Sequence, residues 1–334
     1  MPAKLYPAHC AIGDEDVSIQ AGPERFRTKK GVKSFATAVA ETRQEATDTI
    51  TALMDFGPDL LIVDPWCLGM LDYYLLHFGT RIPIILINSS LVMPFRATDP
   101  VGNMVSKFGI PTLFQCLREF DFPRDDLNNL PHSYVGPSID LRRPEVDFDW
   151  SRLHATKPLI YCSFGSQSHR FKGARRLLQK IILALSSDES AQAVIAVGKY
   201  FDPASFRGVG PSVILTDYAP QLGMLKKATM MITHGGLGAI KECIYFGVPM
   251  LVFPFDTDQP ANAARVNFHA IGLAGDTHGA SVEQIRESVA KVRKDKSYRR
   301  RLAIMSEKLK ALESSSSAVE IINDTLRRTR AGVG

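Results

Sequence analysis

Cysteine is scarce in this chain of 334 residues: its five copies (Cys10, Cys67, Cys116, Cys162 and Cys243) are an odd number, scattered without a C-x-x-C pair or histidines at zinc spacing. Nothing in that spacing points to a disulfide framework or a zinc site, and reduced thiols in a cytosol are expected. Long apolar runs are missing too. No stretch approaches the length of a membrane span, and the N-terminus MPAKLYPAHC lacks the apolar run of a signal peptide, so a cytoplasmic protein without an integral membrane segment is expected. Charge of one sign is only mildly in excess. A net charge of +5 favours anionic ligands without indicating nucleic acid, and the basic runs Arg299-Arg300-Arg301 and Arg327-Arg328 with Arg330 fall in helical patterns, where solvated faces are the ordinary explanation. With 45% hydrophobic and 22% charged residues the composition is that of a globular protein, long enough for two domains.

What is present is an alternation of apolar strands and amphipathic helices. From about Ser34 to Met54, apolar residues recur every three or four positions and predict a helix, stopped by Phe56-Gly57-Pro58. DLLIVDPWC is an apolar run without alternation, as a parallel strand covered on both faces requires, ending at Asp64. The helical stretch LGMLDYYLLHFG and the apolar IPIILINSS complete a strand, helix, strand unit. Residues 100–144 are rich in Pro, Asp and Asn and predict loops and short helices. A second series then begins: LIYCSFGS, a helix from about Gly173 to Ser186, AVIAVGK, SVILTDY, MMITHGG, a helix from about Leu237 to Phe246, PMLVFP, and a helical block from Ser281 opened by the capping-box sequence SVEQ. The fold class is α/β, with a first domain over 1–135, a linker over 136–150 and a second domain over 151–334.

The informative stretch is YAPQLGMLKKATMMITHGGLGAIKECIYFGVPMLVFPFDTDQPAN, residues 218–262. At its centre a strand turns through His234-Gly235-Gly236-Leu237-Gly238 into a helix. Glycines let the backbone approach a ligand, and free amides at the helix start suit a phosphate or diphosphate. A glycine-rich turn alone also serves tight packing, so by itself it leaves both readings open. The full string, with Ala219-Pro220-Gln221, Thr233-His234-Gly235-Gly236, Glu242, Gly247-Val248-Pro249-Met250, Pro254, Asp258-Gln259 and Asn262-Ala263, resembles the nucleotide-sugar signature of the family-1 UDP-glycosyltransferases.

That resemblance implies a GT-B fold, two Rossmann-like domains facing a cleft, and transfer of a hexose from a UDP-sugar to a hydroxyl of a small hydrophobic acceptor with inversion. It implies donor-binding roles for Tyr218, stacking on uracil; Gln221, beside the base; Glu242, accepting from ribose hydroxyls; and Asp258 and Gln259, reading sugar hydroxyls. His234, Gly236, the amides near Gly238 and Ala239, and Ser166 would hold the diphosphate. Many members carry Asn or Ser/Thr where Gly238 and Ala239 stand, so side-chain donors are replaced here by backbone. Asp256-Thr257-Asp258 also fits a metal-binding D-x-D pattern; the resemblance instead gives Asp258 to the sugar, and no metal and no cofactor beyond the donor substrate are expected. Asp64 matches the aspartate that orients the family's catalytic histidine. The Gly-His dipeptide that carries that base is missing, His9 is the one early histidine, and the first strand, first helix and part of the acceptor wall look absent. A partner-dependent or non-catalytic UDP-sugar-binding protein is therefore the alternative reading, with a protein partner supplying the base. An oxidoreductase reading of the glycine turn fails on the lack of G-x-G-x-x-G order.

Overall fold

The computed structural model describes residues 54–64, 82–91, 105–123 and 130–328, residues 48 and 51, and the backbone alone of 25–28, 31–34 and 329–331. Strands β1 (Arg25–Thr28) and β2 (Gly31–Ser34) pair antiparallel, so Ser34, expected to open a helix, ends a strand. Helix is present at 48, 51 and 54–56; the remainder of that expected helix, and the one at 68–79, lie outside the described residues.

Two compact units divide the chain: 1–114 with 123–134 and 317–334, and 115–122 with 135–316. In the first, β3 (Leu61–Val63), β4 (Ile84–Asn88), β5 (Thr112–Phe114) and β6 (His132–Tyr134) form a parallel sheet in chain order. An apolar run without alternation makes β4, and Ile85 and Leu86 in it, like Phe114 in β5, are fully buried, as expected for strands covered on both faces. Strands β5 and β6 come from the stretch that predicts loops. Each is only three residues long, too short to show a period, and they are joined through Phe114 stacked on Tyr134 at 5.1 Å. Helix α7 (Ser317–Ala331), the last of the block, also groups with this unit.

The second unit holds a six-stranded parallel sheet, order β12-β11-β10-β7-β8-β9. Its strands are β7 (Leu159–Ser163), β8 (Gln192–Ala196), β9 (Val213–Thr216), β10 (Ala228–Thr233), β11 (Met250–Val252) and β12 (Gly272–Ala274). Helices α1 (Ala174–Ser186), α2 (Gln221–Lys227), α3 (Leu237–Phe246), α4 (Gln259–Phe268), α5 (Val282–Lys294) and α6 (Lys296–Glu313) connect and follow them. Burying Leu177, Leu178, Ile181, Ile182 and Leu185 seats α1 on one layer of the core with Ile195, Met230 and Ile232. The expected capping box is present: Ser281 Oγ accepts from the Gln284 amide at 3.2 Å, and Gln284 Oε1 from the Ser281 amide at 2.8 Å. From β7 the chain runs outward first through β8 and β9, then returns to build β10, β11 and β12 on the other side. The order reverses between β7 and β10, and a crevice at the carboxyl ends of two such strands is where open α/β sheets bind ligands.

The segment expected as a free linker over 136–150 belongs to the second unit and is stitched to it by hydrogen bonds. The Lys241 ammonium, buried, donates to the carbonyls of Gln115 at 3.1 Å and Pro137 at 2.8 Å, and the Glu313 carboxylate accepts from the amides of Ser138 and Ile139. Residues 115–122 are anchored by a buried ion pair: Arg265 Nε and Nη2 donate to Asp121 Oδ1 at 2.9 and 2.8 Å, with side chains 6% and 0% exposed. Removing one partner strands the other charge away from water. Asp121→Ala is expected to destabilise the second unit by about 3–5 kcal/mol in denaturant unfolding.

Candidate functional site

Parallel pairing sets Thr233 opposite Ser163, so the turns that leave β7 and β10 lie side by side. After β7, Phe164 is buried, Gly165 adopts φ +75° and Ser166 is left exposed. After β10, Gly235 adopts φ +90°, where an added Cβ would come within 2.6 Å of Val252 Cγ1; conformation and space both require glycine. Gly236 then precedes α3, whose N-terminus no side chain caps. First-turn amides have no partner inside a helix, and they carry the positive end of its dipole. A Cβ at Gly238 would meet nothing within 4 Å, so the space before this turn is open, and half-buried Ala239 follows. The glycine at 238 is thus not forced by packing.

His234 stands between the two turns. A Cβ at Gly165 would lie 3.1 Å from its Cε1, and one at Gly236 would lie 2.7 Å from its Nε2. Phe171 stacks on the ring at 5.8 Å and Phe255 backs Phe171 at 4.8 Å. Burial pushes the imidazole pKa down to about 4, so at neutral pH the ring carries one N–H and no charge. Its Nδ1 is buried without a hydrogen-bond partner.

On the β8–β9 side a cavity of about 450 Å³ opens. Ser166, Tyr218 and Gln221 line it, with Arg143, Glu145 and Asp217. Tyr218 is 40% exposed, its ring free to stack, and its carbonyl accepts from Thr216 Oγ1 at 2.8 Å. Gln221 does not point at open space: its Nε2 donates to Glu242 Oε2 at 2.7 Å. Glu242, on the inner face of α3, is buried, and its Oε1 accepts from Arg143 Nη1 at 2.5 Å. Glu145 accepts from the amides of Leu222 at 2.7 Å and Gly223 at 3.1 Å, fixing the 143–146 arm over the start of α2.

The expected sugar pair lies beside the glycine turn. Asn262 Nδ2 donates to Asp258 Oδ2 at 2.8 Å and to the Gly235 carbonyl at 3.1 Å, tying the two segments together. Asp258 Oδ1 accepts from Thr257 Oγ1, and Gln259 Oε1 accepts from the Phe255 amide at 2.9 Å. The Asp256 carboxylate accepts from Gln259 Nε2 at 3.3 Å. The ten expected donor-side residues thus follow the carboxyl ends of the strands of one sheet, with Gln221 bonded to Glu242, and Asp258 tied through Asn262 to the glycine turn. In the other unit, Asp64 follows β3 and accepts from Ser89 Oγ at 3.4 Å; His9 lies outside the described residues.

Residues 182–325 match the family described as erythromycin biosynthesis protein CIII-like, C-terminal domain. A zeaxanthin glucosyltransferase from Pseudescherichia vulneris is 29% identical over 257 residues, 72% of this chain and 59% of that protein. The uncharacterized UDP-glucosyltransferase YojK of Bacillus subtilis (strain 168) is 26% identical over 195 residues, 58% of this chain and 47% of that one. The matched region thus spans about half the length of such curated relatives. Among solved structures, the glycotransferase of kitacinnamycin superposes with a TM-score of 0.70 at 21% identity, covering 88% of this chain and 84% of that one. Spinosyn rhamnosyltransferase SpnG, complexed with thymidine diphosphate, superposes at 0.65 and 16% identity over 86% and 79%. The fold is GT-B, and over residues 182–325 the chain is similar to family-1 glycosyltransferases.

Within this candidate site, reading the sequence missed Arg143 and Glu145. They sit in RRPE, a stretch without periodicity, and only the fold carries them to α2 and α3. No signal short of a three-dimensional template could have assigned them. His234 gives the site a pH signature. An unfolded chain protonates this residue below about pH 6.5, and the folded one only near pH 4, so the stability it contributes is complete above 6.5 and is lost as pH falls between those values. The loss is on the order of 3 kcal/mol. Unfolding free energies of wild type and His234→Gln, measured from pH 7 to pH 4, are expected to converge by that order, because the wild type falls more steeply.

Proposed function

We propose that this chain transfers a hexose from a UDP-sugar to a hydroxyl of a small hydrophobic acceptor, with inversion at the anomeric carbon. The observation that carries the reading is the juxtaposition at the switch point: an uncapped helix N-terminus, a neutral histidine N–H and an exposed serine on one side, and an aromatic ring with a carboxylate–amide pair on the other. The first group suits a diphosphate and the second a nucleoside. Names of relatives, a UDP-glucosyltransferase and a zeaxanthin glucosyltransferase, support a uridine-linked hexose and an apolar acceptor, and thymidine diphosphate in SpnG supports a nucleoside diphosphate at this place in the fold.

In the proposed reaction the acceptor oxygen forms a bond to the anomeric carbon as the bond from that carbon to the β-phosphate oxygen breaks. The acceptor proton passes to a base, and UDP departs with the electron pair. Negative charge growing on the β-phosphate meets the first-turn amides of α3 and the His234 N–H, preorganised donors that need no reorientation as the bond breaks. With that positive potential in place, the scheme needs no metal. Asp258 and Gln259 read the sugar hydroxyls, and Asp64 orients the base, for which His9 or a residue from a partner protein is the candidate. Buried Cys116, Cys162 and Cys243, whose thiols burial pushes well up, fit a reducing cytoplasm. Among the described residues no helix is long and apolar enough to cross a membrane.

UDP is expected to raise the melting temperature of the protein, and Glu242→Ala to weaken UDP about tenfold by calorimetry, the worth of one charge-assisted hydrogen bond. UDP release from UDP-glucose, UDP-glucuronate or UDP-N-acetylglucosamine with an acceptor panel tests transfer. Turnover appearing only after a second polypeptide is added would favour the partner-dependent reading, and UDP that neither binds nor protects would end the assignment.

A further inference from the structure

Glu242 is the carboxylate to which the nucleotide reading gives the ribose hydroxyls, yet it does not face the cavity. Its side chain is 7% exposed, and both of its oxygens already accept, one from Arg143 and one from Gln221. The groups that do line the cavity are those two donors. The Arg143 guanidinium sits on Glu242 where a hydroxyl donor would have to sit.

We propose that Arg143 is a built-in competitor for ribose: it holds Glu242 while the pocket is empty and yields the carboxylate to a vicinal diol when a ribonucleotide enters. The inference rests on the nucleotide reading and deepens it. Three features of the arm suit an exchange. Its backbone is fixed independently, because Glu145 grips the Leu222 and Gly223 amides and Pro144 restricts the turn between, so the side chain can swing without the arm unfolding. Arg143 is 35% exposed, so water is at hand for a displaced guanidinium. Arg143 Nη2 already lies 4.0 Å from Glu145 Oε1, and Arg143 is the one cation among the cavity's lining residues, beside Glu145 and Asp217. A released guanidinium therefore has a carboxylate to rest on.

Exchange has a sign that co-binding does not. If Arg143 competes with the diol, its removal leaves Glu242 short of a donor that the ligand then supplies, and ribonucleotides bind more tightly. If Arg143 merely supported the pocket, its removal would weaken every nucleotide. Calorimetry with UDP and with 2′,3′-dideoxyuridine 5′-diphosphate, on wild type and Arg143→Met, separates these. UDP is expected to tighten about tenfold in the variant, while the dideoxy analogue stays within about twofold of its wild-type affinity. Arg143→Lys, which keeps the charge, is expected to restore near-wild-type UDP affinity. Should Arg143→Met fail to fold, Arg143→Gln carries the same test, with a smaller gain expected. UDP that binds the wild type and is weakened or left unchanged by these substitutions overturns this inference alone. A wild type that binds no UDP overturns the nucleotide reading and the inference with it.

Discussion

The pairing of β7 with β10 is the constraint on which the rest of the donor-side unit depends. Because Thr233 sits opposite Ser163 in a parallel register, the chain must leave both strands at the same end and turn into helices on either side of one crevice. Two glycines make the approach tight: Gly235, in the left-handed region with no room for a Cβ, and Gly236, against the His234 ring. Both strands are fully buried at their centres, so a slip in register would carry Ile160, Cys162, Met230 and Ile232 from the layer they pack in to the opposite, differently packed buried face. Core packing therefore fixes where the site is.

Its electrostatics follow from burial rather than from net charge. The one cation lining the cavity is already paired, His234 is neutral, and the fixed positive potential comes from the backbone of α3. In the proposed reading, oriented amides that do not reorganise on binding would attract a diphosphate, and specificity would lie in groups that accept and donate at set positions. Glu242 is the hub of the second half: one buried carboxylate joins the arm at 143–146 to α2 and α3.

Much of this was legible in the chain. Short apolar runs marked β4, β7, β8 and β10, and the ordered residues from Tyr218 to Asn262 marked the turns and helix starts at the carboxyl ends of these strands, because local turns set their places. Other features were not legible, for identifiable reasons. Strands β5, β6 and β12 are too short for periodicity to declare them. The segment at 136–150, polar and proline-containing, reads as a linker until Glu313, Lys241 and Glu242 are seen to bind it, and those contacts span up to 175 residues of sequence. Burial of Glu242 was likewise invisible, since a charged residue on a helix is exposed unless something distant covers it.

The central claim is that the crevice between β7 and β10 seats a nucleoside diphosphate. Amide hydrogen exchange of the protein with and without saturating UDP tests it most directly. The account expects slowed exchange at the amides of 165–167 and 236–239 and along the start of α2, with little change at the amino ends of the same strands. Unchanged exchange at the α3 start, or protection confined to the other unit, would contradict it.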